Sequence, residues 1–124
     1  MKNIHYTIAL LLLSFCALAQ KPAPKTEQDY YEIKTLPIPK EIYLEVGGLA
    51  TMPDGRIAVS TRRGEIWIIE NPYQKTNHQV HYKRFASGMH EVLGLAYRDG
   101  AFYCSQRGEL TKITDTDRDG VADL

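Results

Sequence analysis

Gly48-Leu49-Ala50, Pro53-Asp54-Gly55 and Arg63-Gly64-Glu65 return, 44 to 46 residues later, as Gly94-Leu95-Ala96, Asp99-Gly100 and Arg107-Gly108-Glu109. The shrinking offset amounts to single-residue trims in the turns. A self-similarity of about 40–50 residues built from short strands is the signature of β-propeller blades, each a four-stranded sheet. One blade cannot bury both its faces, and two do not close a ring.

Within the first copy, Leu49 to Met52 reads as a short inner strand and Pro53-Asp54-Gly55 as a turn, Pro presetting φ and Gly accepting positive φ. Ile57 and Val59 alternate with Arg56, Ala58 and Ser60, the period of two of a strand. Arg62-Arg63-Gly64 turns the chain, Glu65 to Ile69 makes a third strand, Asn71-Pro72 ends it, and Val80 to Phe85 makes a fourth. The second copy repeats this with strands at Val92 to Tyr97, Ala101 to Gln106 and Glu109 to Ile113. No helical stripe of apolar residues appears after the first twenty residues, so the expected class is all-β: about two blades, part of a six-bladed propeller.

The amino terminus has a different character. Lys2, an apolar run from Ile8 to Leu18 and Ala17-Leu18-Ala19 before Gln20 describe a secretory signal peptide over residues 1–19. A membrane span needs about 20 apolar residues, and no stretch reaches that length. A lipoprotein reading would use Cys16, but bulky Phe15 stands where a small residue is wanted. Cleavage after Ala19 leaves one cysteine, Cys104, and therefore no internal disulfide. The whole chain carries 15 basic and 15 acidic residues, and losing Lys2 leaves a net charge near −1. That balance attracts neither nucleic acid nor an anionic membrane. Residues 20–35 read as a Pro- and Lys-rich linker, with Tyr30 to Lys34 a strand candidate for ring closure. The blades occupy 36–124, incomplete at the C-terminus.

Asp115-Thr116-Asp117-Arg118-Asp119-Gly120-Val121-Ala122-Asp123 fits D-x-D-x-D-G with an acid at the ninth position. Calcium takes six to eight oxygens, and carboxylates at alternate positions of a loop bent at a glycine can supply them, with the Val121 carbonyl adding one. The predicted metal residues are Asp115, Asp117, Asp119, Val121 and Asp123; the alternative is a solvated acidic turn. No helix precedes Asp115, so a full EF-hand is unsupported.

Strand reversal within a blade places His90, Glu91, Arg62, Arg63, Gln106 and Arg107 on one side of the disc and the acidic loop on the other, which makes the expected calcium structural. His90 is either a ligand contact or base at the channel mouth, or a hydrogen-bond partner of a neighbouring backbone. Arg62, with no basic counterpart in the second copy, is the freer candidate for clamping a carboxylate-bearing cofactor. Arg63 and Arg107 are expected to pair with Glu65 and Glu109. Cys104 aligns with Val59 and reads as a buried small residue, and Trp67 as packing between blades. His78 and His81 lack the acid or thiol a zinc site would add.

The segments Gly48 to Trp67 (GLATMPDGRIAVSTRRGEIW), Gly88 to Tyr97 (GMHEVLGLAY) and Gln106 to Ile113 (QRGELTKI), followed by the Asp-rich loop, resemble the soluble quinoprotein glucose/sorbosone dehydrogenase propellers, in an exported bacterial branch often joined to a haem-c domain. The resemblance spans roughly residues 36–124. It implies a six-bladed propeller that binds pyrroloquinoline quinone (PQQ) and calcium and oxidises a sugar or related alcohol by hydride transfer to the quinone. Its catalytic histidine and cofactor arginines belong to later blades, so no catalytic residue is expected here, and His90 and Arg62 are candidate cofactor contacts only. The rival expectation is a non-catalytic propeller acting as a binding or scaffold module of a multidomain surface protein. A lactonase-type hydrolase would need calcium in the central channel, away from the acidic loop.

Overall fold

The computed structural model describes residues 23–74 and 79–123. The expected signal peptide and its cleavage site, His5, Cys16, His78 and residues 20–22 of the linker lie outside the described residues. The chain divides into two units, one ending at Ile33 and one beginning at Lys34. In the first, Glu27–Asp29 forms a single 3-10 turn. Tyr30 to Lys34 forms no strand: the Tyr30 and Tyr31 amides donate to the Glu27 carbonyl at 3.0 and 2.9 Å, and Tyr31 and Ile33 are 75% and 93% exposed.

The second unit is all-β, its described residues forming seven strands in two antiparallel sheets. The first sheet joins β1 (Val46–Thr51), β2 (Ile57–Thr61), β3 (Ile66–Glu70) and β4 (His81–Ala86) in sequence order. The second joins β5 (Gly94–Arg98), β6 (Ala101–Ser105) and β7 (Leu110–Thr114). Turn chemistry sets the boundaries: Gly55, Gly64 and Gly100 all take positive φ between strands, a conformation glycine adopts without a Cβ clash. Asp54 fixes the first turn through Arg56, accepting from its amide at 3.0 Å and its guanidinium at 2.7 Å. Burial alone would raise the Asp54 pKa, but these bonds outweigh it and hold the carboxyl below its usual range.

Register decides how the sheets stack. Ala50 pairs with Ala58 and Ala58 with Ile68, so these share a face with Ile66, because alternate residues point the same way. In the second sheet Tyr97, Phe102 and Ile113 share a face with Leu95 and Cys104. These two faces meet in one core, where Phe102 lies edge-on to Phe85 at 4.9 Å and to Tyr97 at 4.8 Å. Aligning the copies by their pairing puts Ile57, Val59 and Ile69 opposite Phe102, Cys104 and Ile113, and Ala58, Ile66 and Ile68 opposite Tyr103, Leu110 and Lys112. Equivalent residues therefore lie on opposite sides of the interface. Ile66 is fully buried, whereas its counterpart Leu110 is 75% exposed. The copies stack head to tail, as consecutive blades would, and not as two like faces of a closed sandwich.

Close backbone approach accompanies the stacking. A Cβ on Gly48 would lie 2.6 Å from the Leu95 amide nitrogen, and one on Gly47 or Gly64 would overlap the carbonyl of Val92 or Met89. The Met89 amide donates to the Gly64 carbonyl at 3.1 Å. At Gly108, the counterpart of Gly64, a Cβ would meet nothing within 4 Å. Trp67 shares with Val59 the face of the first sheet turned away from the second, and donates through Nε1 to Glu65 at 3.0 Å.

Candidate functional site

Two constellations stand at opposite ends of β7. At the first, the loop before β5 is held against both β–β turns. The His90 amide donates to Gln106 Oε1 at 2.6 Å, and the His90 carbonyl accepts from the Arg107 amide at 3.2 Å. Gln106 is oriented in turn, its Nε2 donating to Thr111 Oγ1 at 2.6 Å and Glu109 Oε1 at 3.1 Å. Glu91, at φ 42°, reaches Arg107 at 3.1 Å and Arg62 at 3.9 Å. That backbone region costs a non-glycine residue roughly 1–2 kcal/mol, so the clamp on either side must hold Glu91 there.

His90, Glu91, Arg62, Gln106 and Arg107 thus come together as topology implied. Their partners differ from expectation. Arg107 pairs with Glu91 and not Glu109, and Arg63 lies over the Tyr43 ring at 5.0 Å. Glu65 instead takes Arg84 at 3.4 Å. The reason is reach: in each copy the triplet's arginine turns towards the segment ahead of that copy's own first strand, where Tyr43 and Glu91 stand, and its glutamate runs along the strand that follows it, to Trp67 on β3 and Thr111 on β7.

A quinone bearing several carboxylates does not fit these residues alone. The Glu91 carboxylate stands between the two guanidinium groups, where it would oppose such a ligand. Cys104 is buried and free, with its Sγ 3.7 Å from Met89 Sδ. Burial, helped by the Glu109 charge, pushes its thiol pKa up, the reverse of what a nucleophile needs.

The second constellation is the acidic loop leaving the far end of β7. Each carboxylate turns an oxygen onto the loop's own donors. Asp115 Oδ2 accepts from Gly120 N at 2.9 Å, Asp117 Oδ1 from Asp119 N at 3.1 Å, and Asp119 Oδ1 from Val121 N at 2.7 Å. Asp123 Oδ2 accepts from the amide and hydroxyl of Thr116, bonds that lower its pKa. Three of the predicted ligands converge: Asp115, Asp117 and Asp123 each place an oxygen within 4.8 Å of the others. The Asp119 carboxylate stands outside that group, spent on the Val121 amide. Its carbonyl accepts from Lys83 Nζ at 2.5 Å, a cation from β4 that the loop's own sequence gives no sign of. Asp115 Oδ1 is buried with no hydrogen-bond partner. An orphaned carboxylate oxygen beside two further carboxylates suits a hard cation with oxygen ligands, so the residues fit calcium.

Among the described residues, no helix is long and apolar enough to cross a membrane. No family model, curated protein or solved structure matches this chain.

Proposed function

We propose that this chain forms the first two blades of an exported β-propeller of the glucose/sorbosone dehydrogenase kind, with a structural calcium ion in the Asp115–Asp123 loop. The observation that carries the reading is the head-to-tail stacking of two repeats. A heterologous contact closes into a ring or continues as an open stack, and the exposed Leu110 face, with Gly108 standing where Gly64 admits a neighbour's carbonyl, suits a further sheet. Asp115, Asp117 and Asp123 would hold the ion, neutralising a loop whose acids otherwise repel one another. When bound, PQQ would supply the electron sink for oxidising a sugar or alcohol. That chemistry would lie away from His90 and Arg62, where the Glu91 carboxylate opposes an anionic quinone.

Calcium titration of the chain tests the metal part. Saturation at about 100 Kd should stabilise the fold by roughly 2.7 kcal/mol, and Asp115→Asn should remove that gain; an identical melt with calcium and with chelator would refute it. The redox part is tested by dye reduction with aldoses after loading the whole protein with PQQ and calcium. Failure to bind the quinone would leave the second reading, a non-catalytic scaffold propeller, which the Glu91 carboxylate between Arg62 and Arg107 favours.

A further inference from the structure

The carboxylates of the Asp115–Asp123 loop belong to the segment leaving the second sheet, yet the loop is also fastened to the first. Its own sheet holds both its ends: Asp115 follows β7 directly, and the Asp123 amide donates to the Thr114 carbonyl at 2.9 Å. Between those ends, the Asp119 carbonyl accepts from Lys83 Nζ at 2.5 Å, and the Ala122 amide donates to the Phe85 carbonyl at 2.8 Å. Lys83 pairs with Ile68 and so shares the face of the first sheet turned to the second. The end of its side chain lies against Gly120, where a Cβ would overlap Nζ. Both fastenings fall between Asp117 and Asp123, two of the three carboxylates that converge within 4.8 Å.

From this we infer that the loop is a clasp between the two sheets, coupled to the cation it takes, with Lys83 as its positioning residue. Lys83 and the Phe85 carbonyl hold residues 119–122 where they bring Asp123 up to Asp115 and Asp117, and calcium in turn holds the clasp shut. The inference rests on the calcium reading of this loop and adds how the site is controlled. A site that is assembled in only a fraction of molecules binds more weakly by that fraction, so releasing 119–122 from β4 weakens the site without removing a ligand. Linkage makes the effect mutual: the factor by which docking tightens calcium binding is the factor by which calcium favours docking. Charge alone predicts the opposite sign. An ammonium group beside a divalent cation repels it, so Lys83→Met would tighten binding if Lys83 acted only through its charge.

The test measures calcium affinity by titration, and amide hydrogen exchange at Ala122, in the full chain and in Lys83→Met. Saturating calcium should slow Ala122 exchange in the unsubstituted chain by at least about fivefold, and the substitution should raise the calcium Kd by at least about fivefold. In chelator, Ala122 should exchange faster in Lys83→Met than in the unsubstituted chain. Equal or tighter calcium binding by Lys83→Met overturns the inference and leaves the calcium reading standing. Unchanged Ala122 exchange in chelator overturns it from the metal-free side. An unsubstituted chain that binds no calcium sinks the calcium reading and the coupling with it. Exchange in chelator still reports then whether Lys83 fastens the loop, so the two failures are distinguishable.

Discussion

Ile66 and Leu110 are the same residue of the repeat in opposite circumstances, and truncating each to alanine separates stacking from sequence. Ile66 is fully buried between the sheets. Removing three carbons forfeits about 2.4 kcal/mol of transfer free energy at ~0.8 kcal/mol per methylene. The cavity left against Phe102 and Phe85 raises the cost to roughly 3–4 kcal/mol. Leu110, three-quarters exposed, forfeits about a quarter of the transfer term and leaves no cavity, roughly 0.5 kcal/mol. With a urea m-value of about 1.5 kcal/mol/M, Ile66→Ala should lower the midpoint by roughly 2 M or abolish the transition, and Leu110→Ala by less than about 0.4 M. Trp67 fluorescence and far-ultraviolet circular dichroism both report the transition. Equal costs at the two sites would refute the head-to-tail arrangement, since two like faces packed together would bury both residues alike.

The glycines give a parallel contrast. Gly64→Ala should cost more than about 2 kcal/mol, combining positive φ with overlap on the Met89 carbonyl, whereas Gly108→Ala should be neutral or stabilise by about 0.4–1 kcal/mol; chemical denaturation of both variants checks this. Acid should loosen the Asp115–Asp123 loop. The Asp123 pKa is lowered in the fold, so its contribution is present above the unfolded value near 3.9 and lost as pH falls through the folded value. Thr116 amide exchange should accelerate only below about pH 4, and an onset at pH 6 would contradict the assignment. Cys104 should resist thiol reagents in the fold and react at the rate of global unfolding, because the group is buried and its thiolate disfavoured; rapid labelling of the native protein would argue against the packed core.

Strand positions were legible because glycine and aspartate punctuate them: β2 to β7 fall within a residue or two of where the alternation and turns put them, and β1 within three. Legibility stopped where both faces of a strand are apolar. Ile66 and Ile68 alternate with Trp67 and Ile69, and period alone does not say which pair meets the second sheet. The site followed the same pattern. Topology gathered His90, Glu91, Arg62 and Arg107 correctly, but which carboxylate each arginine meets depends on side-chain reach across the stack. The acidic spacing named Asp115, Asp117 and Asp123; that Asp119 folds back on the Val121 amide and that Lys83 approaches from β4 required the neighbouring sheet. Tyr30 to Lys34 read as a strand candidate on side-chain pattern alone, whereas the Tyr30 and Tyr31 amides close a turn on the Glu27 carbonyl.

The directional stack also bears on how such a chain grows. Because the leading surface of one copy matches the trailing surface of the next, duplicating the gene segment supplies both halves of each new joint at once. No novel complementarity must be invented at any addition.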